Sequence, residues 1–335
     1  MSRLLDANPN ANDRQEEITL RPQTLKEYVG QKALKKNLEI FIGAALHREE
    51  PIDHMLLYGP PGLGKTTLAY VVANEMHANI HVTSGPSLEK TGDLAAILAE
   101  LEPGDVLFID EIHRLPRVVE EALYSAMEDF QFTVMINRDN GSKNITLDLP
   151  PFTLIGATTR AGNLSSPLRA RFGITEKLNF YDVDEIEQIV KRTSRVFNTT
   201  IDENAAKEIA KRSRGTPRIA NRLFKRVRDF ANFQQKDEIS YEDAIDALTA
   251  LKVDEIGLDD VDIRYLETLI HRFKGGPVGL DTLANAIGEE IMNLQDVYEP
   301  YLIQIGMIDR TPRGRVANEK AYKHLKIKYQ QSLFD

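Results

Sequence analysis

Three short apolar runs in the first half of the chain each end abruptly in polar residues. Residues 55–58 (MLLY) stop at glycine, residues 106–109 (VLFI) stop at Asp110, and the run in PFTLIGATTRAG, residues 151–162, stops at a pair of threonines. Apolar runs of this length bounded by turn formers read as strands covered on both faces. Residues 68–73 begin an apolar helix between the first two runs. Strands alternating with helices predict an α/β layer built on a parallel sheet. One segment departs from that pattern: EDFQFTVMINRDNGSKNITLDL, residues 128–149, has two strand-like runs around Asn140-Gly141, a strong hairpin signal. Its tip is approached by the apolar pair Met135 and Ile136.

After Tyr181 the period changes. Val183, Ile186, Ile189, Val190 and Val196 recur close to every 3.6 residues, which predicts a helix over 182–197 at the head of a helical region. Thr216-Pro217 supplies an N-cap and a first-turn proline for a later helix, with Arg218 in its first turn. Arg222, Lys225, Arg226 and Arg228 on that helix read as a solvated or intersubunit face. The last part predicts helices over 266–273, 279–287 and 289–305, then a β-ribbon through 311–316. Helices followed by a ribbon at this size predict a winged helix. Three parts result: 1–181, 182–254 and 255–335.

Composition narrows the class. A chain of 335 residues exceeds one compact core. No apolar run approaches the roughly 20 residues that cross a bilayer, and MSRLLDANPNANDRQEE at the start has no signal-peptide core and reads as too polar to order. Cysteine is absent, so disulfides and thiol chemistry are excluded. A cytoplasmic protein is expected. The net charge of −9 argues against nucleic acid, but its distribution argues the other way. From Arg310 to Lys328 seven Lys or Arg stand against one acid, Glu319. Arg310, Arg313 and Arg315 cluster in the ribbon and suit phosphate contacts, which carry no sequence information. The preceding helix carries Glu289, Glu290, Asp296 and Glu299, so it is not expected to read bases.

The chemistry centres on GPPGLGKTT, residues 59–67, which fits G-x-x-x-x-G-K-[ST] between a strand and a helix. Gly62 and Gly64 let backbone N–H groups close around phosphates at a helix N-terminus. Lys65 reaches the outer phosphates, Thr66 offers a hydroxyl to Mg²⁺, and Thr67 can bond an inner phosphate. Asp110 and Glu111 follow a buried strand, placed to hold Mg²⁺ and to orient or deprotonate the attacking water. Thr158 or Thr159 could touch the γ-phosphate. In SSPLRARFGI, residues 165–174, Arg169 and Arg171 are candidates for an arginine supplied in trans.

Taken together, GPPGLGKTT, LFIDEIH, GATT, PLRARF and GTPR resemble an AAA+ ATPase, and more closely the RuvB family of bacterial Holliday-junction branch-migration motors. The resemblance runs from LRPQTLKEYVGQ, residues 20–31, to the terminal domain. It implies a large P-loop domain, a helical small domain and a winged-helix head. It implies ATP and Mg²⁺, hexameric rings, four-way junction and duplex DNA, a RuvA-like junction-binding protein docked on the 128–149 hairpin, and a RuvC-like resolvase. By the same resemblance Leu20, Arg21 and Tyr181 line the adenine pocket, Thr158 senses the γ-phosphate, Arg171 is the arginine finger and Arg218 the second sensor. Arg310 and Arg315 are the favoured DNA ligands. An AAA+ replication initiator or a clamp-loader-type ATPase shares much of this core, and a nucleotide-binding scaffold without turnover is the alternative from another class.

Replacing Met135 and Ile136 by charged residues is expected to abolish stimulation by the junction-binding partner. Partner stimulation that survives in a junction-conversion assay would remove the hairpin from the docking surface.

Overall fold

The computed structural model describes residues 4–6, 19–138 and 141–329, and for 134–138 and 141–145 it describes the backbone only. Residues 19–181 form one compact unit; residues 4–6 and 182–329 form the other.

In the first unit α1 (Lys32–Arg48) precedes β1 (Met55–Tyr58), α2 (Lys65–Glu75), β2 (Ile80–Ser84), α3 (Thr91–Leu98), β3 (Val106–Asp110) and α4 (Arg117–Glu128). A hairpin of β4 (Gln131–Arg138) and β5 (Gly141–Asp148) follows, then β6 (Thr153–Thr158), α5 (Ser166–Ala170) and β7 (Ile174–Lys177). The three apolar runs become β1, β3 and β6, and their side chains are almost wholly buried. Strands covered on both faces belong in a parallel sheet, and β2-β3-β6-β1-β7 is parallel throughout. β1 lies between β6 and β7, away from its sequence neighbour β2, so the connections diverge at its carboxyl end and open a ligand crevice there. Leu107, Ile109, Leu123, Phe132, Phe152 and Phe172 fill the core on one side.

The hairpin is present, with a register that corrects the expected turn. Arg138 pairs with Gly141, so Gly141 belongs to a strand and Asp139 and Asn140 separate the two strands. Those two residues, and the side chains of Met135 and Ile136, lie outside the described residues.

The second unit begins with α6 (Val183–Val196), β8 (Thr200–Ile201), α7 (Glu203–Lys211), α8 (Pro217–Phe233), β9 (Glu238–Ile239) and α9 (Tyr241–Ala250). Asp182 caps α6 reciprocally: its carboxylate accepts from Glu185 N at 2.7 Å, and the Glu185 carboxylate accepts from Asp182 N at 3.1 Å. The expected solvated basic face on α8 is corrected in part. Arg222 and Lys225 are buried, and Arg222 donates to the carbonyl of Asp6. Leu5 and Asp6 are themselves buried, which also corrects the reading of the polar N-terminus as unordered at those two positions.

The winged part has α10 (Asp260–Glu267), continued by a wide turn over Thr268–Arg272, and α11 (Leu280–Ile287). The third helical run, α12, joins Ile291–Asn293, Leu294–Tyr298 and Glu299–Gln304. Its middle segment is wound more loosely because Pro300 has no N–H for the carbonyl four residues back. The ribbon β10 (Ile308–Thr311) and β11 (Gly314–Ala317) and a short α13 (Glu319–His324) complete it. Arg214, in a left-handed conformation just before α8, links the helical and winged parts. Its guanidinium donates to the carboxylate of Asp262 on α10 and, at 2.7 Å, to Gly257 O, all out of solvent.

A Cβ at Gly156, in the centre of β6, would stand 2.9 Å from Ile112 Cδ1 and 3.1 Å from a ring carbon of Phe172. Gly156→Val should therefore lower unfolding free energy by about 1–3 kcal/mol, read from a denaturant titration, and displace Glu111 and Arg171 through their neighbours.

Candidate functional site

The loop between β1 and α2 has the backbone an anion needs. Gly59, Gly62 and Gly64 all have positive φ (144°, 76° and 97°), and Gly64 opens α2. At Gly59 a Cβ would lie 2.5 Å from Leu178 O, so only glycine fits. Lys65 is buried, and its ammonium donates to two carbonyls of its own loop, Gly59 at 2.8 Å and Pro60 at 2.9 Å. Those carbonyl oxygens occupy the role that phosphate oxygens would take. Thr66 and Thr67 stand partly exposed in the first turn of α2.

Sheet order delivers the acids. Tyr58 at the end of β1 pairs with Thr158 at the end of β6, and β6 pairs with β3, which carries Asp110 and leads into Glu111. Asp110 accepts from Glu111 N at 3.0 Å. Glu111 is left-handed (φ 49°), and its carbonyl faces Gly85, where a Cβ would lie at 2.4 Å. That close approach fixes the turn that presents the Glu111 carboxylate. Burial pushes Glu111 above the ordinary carboxylate range, and the Asp110 charge adds to it; Lys65, Arg114 and a hydrogen bond with Thr159 pull the other way.

The two threonines divide their tasks. Thr158 is fully buried and its hydroxyl bonds His113 Nδ1 at 2.8 Å and accepts from Arg160 N at 2.9 Å. Thr159 is the one whose hydroxyl bonds Glu111. The other ring nitrogen of His113 lies 3.4 Å from Glu111 Oε2. His113 thus bridges Thr158 and Glu111, a link that no local motif signals.

Leu20 is buried, and Arg21 lies over the Tyr70 ring, 4.2 Å from its centroid. Tyr181 donates its hydroxyl proton to Leu63 O at 3.2 Å and accepts from the Tyr28 hydroxyl at 3.0 Å. Tyr28 in turn sits where a Cβ on Gly64 would meet its hydroxyl at 3.0 Å. Of the three residues expected at the adenine pocket, Tyr181 reaches the phosphate loop through Leu63 and Arg21 lies against α2, while for Leu20 only its burial is seen. Tyr28 joins Tyr181 at the loop, and their 153-residue separation hid the pairing.

Arg171 and Arg169 part company. Arg169 is exposed and donates to Ala161 O at 2.7 Å. Arg171 stacks on Tyr124 at 4.3 Å, pairs with Glu128 at 3.0 Å and donates to Pro167 O at 2.8 Å. Arg218 belongs to the second unit, in the first turn of α8 behind Thr216 and Pro217.

On the ribbon the arginines are unequal as well. Arg313 is exposed at the turn. Arg310 and Arg315 both pair with Glu299, one of the four acids of the third helix, whose side chain is wholly buried. The Arg315 and Arg310 guanidiniums, with the Tyr265 hydroxyl, overcome the effect of burial and hold the Glu299 carboxyl below its ordinary range.

Among the described residues no helix is long and apolar enough to cross a membrane. Residues 20–178 match the family model for the Holliday junction DNA helicase RuvB P-loop domain, 181–254 the RuvB AAA lid domain, and 255–326 the RuvB C-terminal winged helix domain. The Holliday junction branch migration complex subunit RuvB of Acholeplasma laidlawii is 58% identical over 332 residues, covering 99% of this chain and 98% of that protein. Its counterpart from Oenococcus oeni is 56% identical over 331 residues, covering 99% and 98%. A solved structure of the Thermotoga maritima RuvB Holliday junction branch migration motor is 53% identical with a TM-score of 0.84, covering 93% of this chain and all of that one.

With its pKa raised, folded Glu111 keeps its proton at a pH where the unfolded chain has lost it. Native stability therefore falls as pH rises from the ordinary carboxylate value through the raised one. Glu111→Gln should unfold at a higher temperature than the parent at neutral pH, with the gain vanishing in acid, while ATP turnover falls by about 10²–10⁴-fold.

Proposed function

The chain belongs to the RuvB family, and from that premise we propose an ATP-driven ring motor that pumps duplex DNA and so moves Holliday junctions during recombination and repair. The observation that carries the reading is the convergence of Lys65, Asp110, Glu111 and Thr158 at one end of a single parallel sheet. The proposed division of labour is a large ATPase domain over 1–181, a small helical domain over 182–254 and a DNA-binding head over 255–335.

Gly62 and Gly64 cradle the phosphates, Lys65 exchanges its loop carbonyls for phosphate oxygens, and Thr67 bonds an inner phosphate. Leu20, Arg21 and Tyr181 hold the adenine end. The Thr66 hydroxyl and the Asp110 carboxylate are hard oxygen donors of the kind Mg²⁺ takes alongside phosphates and water. Bound there, the ion would neutralise charge between the outer phosphates. Glu111 accepts the proton of the attacking water, and its raised pKa brings it closer to the operating pH. Thr158, through His113, ties the state of Glu111 to the γ-phosphate position. Arg171 leaves its own Tyr124 and Glu128 to complete the neighbour's site, with Arg169 second in line, and Arg218 senses the nucleotide from the small domain.

The assembly is read as a homo-hexamer in the cytoplasm, acting on junction and duplex DNA with a RuvA-like partner at the hairpin and a RuvC-like resolvase downstream. Arg310, Arg315 and Arg313 hold the DNA backbone. Without base readout at those positions the grip tolerates any sequence passing beneath it.

Two measurements test this. A fluorescent four-way junction should convert to forked duplexes only with ATP, the partner and an intact Glu111; hydrolysis with the junction left whole would favour an initiator or clamp-loader role. Lys65→Ala and Arg171→Ala subunits, each nearly inactive alone, should recover part of the ATPase activity when mixed, because one supplies the phosphate site and the other the finger. No recovery at any ratio would refute the shared site.

A further inference from the structure

Arg310 and Arg315 are directly opposed on neighbouring strands of the ribbon. Like charges in that position repel. The ribbon keeps them there because Glu299, on α12, places a fully buried carboxylate between them. Its Oε1 accepts from Arg315 Nε at 2.7 Å and from the Tyr265 hydroxyl at 2.9 Å. Its Oε2 accepts from Arg310 Nη2 at 2.7 Å and Arg315 Nη2 at 3.0 Å. All four lone-pair positions of the carboxylate are thus engaged. The backbone of Arg315 is held too, by exchange of both hydrogen bonds with Val278 at 2.8 and 3.1 Å. Removing either charge from such a buried arrangement would strand the other.

We propose that Glu299 is a positioning residue for the phosphate contact: it fixes the two guanidiniums as one rigid fork and cancels one of their two charges. This rests on the reading that the wing holds duplex DNA. Arg315 keeps 15% of its side chain exposed and Arg310 keeps 47%. The fork therefore presents exposed guanidinium surface with a net charge of about one rather than two. A backbone grip made this way depends on geometry more than on loose Coulomb attraction.

The test is fluorescence anisotropy of the full-length chain with a labelled DNA duplex, across roughly 50–200 mM salt. Glu299→Gln keeps shape and removes the charge. It should bind about tenfold more weakly at the upper end of that range, by analogy with loss of an outer-shell partner elsewhere. At the same time log affinity should fall more steeply with log salt, by about one unit of slope, since a second uncancelled arginine now displaces a counterion. Unchanged affinity overturns the proposal. So does weaker binding with a shallower slope and a lower unfolding temperature, which is what a merely structural carboxylate would produce.

Two further variants keep the outcomes apart. Arg310→Ala combined with Arg315→Ala should abolish most binding; intact binding would refute the wing as the DNA site and the present inference with it. Arg315→Lys retains the charge and loses the two-pronged pairing with Glu299, so it should bind more weakly at an unchanged slope, and it serves where Glu299→Gln does not fold. Lysine binding as well as arginine would refute the fork even with the wing confirmed as the DNA site.

Discussion

Phosphate demands backbone N–H groups converging on a small volume, and that convergence needs a chain bent into conformations that side chains resist. The positive φ values at Gly59, Gly62 and Gly64 meet the demand, and much of the first unit is arranged to hold them. Leu178 O sits where a Gly59 Cβ would be, Tyr28 closes over Gly64, and β6 hydrogen-bonds Gly59 N through Thr158 O at 3.2 Å. The same strand order that steadies the loop brings Asp110 and Glu111 beside it. Placing β6 between β1 and β3 therefore joins the phosphate cradle, the acids and Thr158 in one continuous hydrogen-bonded array.

What could be read from the sequence was what is local. A phosphate loop, a strand ending in paired acids and a proline-initiated helix each carry their signal within about ten residues, and the structure bears out their elements and the parallel α/β layer. The hairpin was legible for the same reason, though its register lies one residue from the expected turn. The partners that set the chemistry are remote and left no local trace: Tyr28 with Tyr181, Asp6 with Arg222, and Glu299 with the ribbon arginines. Charged residues on a predicted helix are by default solvated. That default failed at Arg222, Lys225 and Glu299, and at Arg222 and Glu299 a polar partner arriving from elsewhere in the chain makes burial tolerable.

Buried ion pairs recur in the second unit, at Arg214 with Asp262 and at Glu299 with its arginines. Such pairs add little net stability over apolar packing, but losing one member is costly. They act as locks on relative orientation. Arg214 lies four residues before Arg218, so the turn that leads into the proposed sensor helix is also the turn anchored to the winged part. A shift of that helix is passed on through a salt bridge and a carbonyl contact rather than through a flexible linker.

Arg171 carries a consequence for idle protein in the cell. Stacked on Tyr124 and paired with Glu128, it is stowed against its own subunit. On the trans role proposed for Arg171, a lone chain would hold a loaded cartridge with no striker, and fuel would be safe from it until neighbours closed a ring. Leakage of ATP would then be prevented by architecture, without any separate inhibitor.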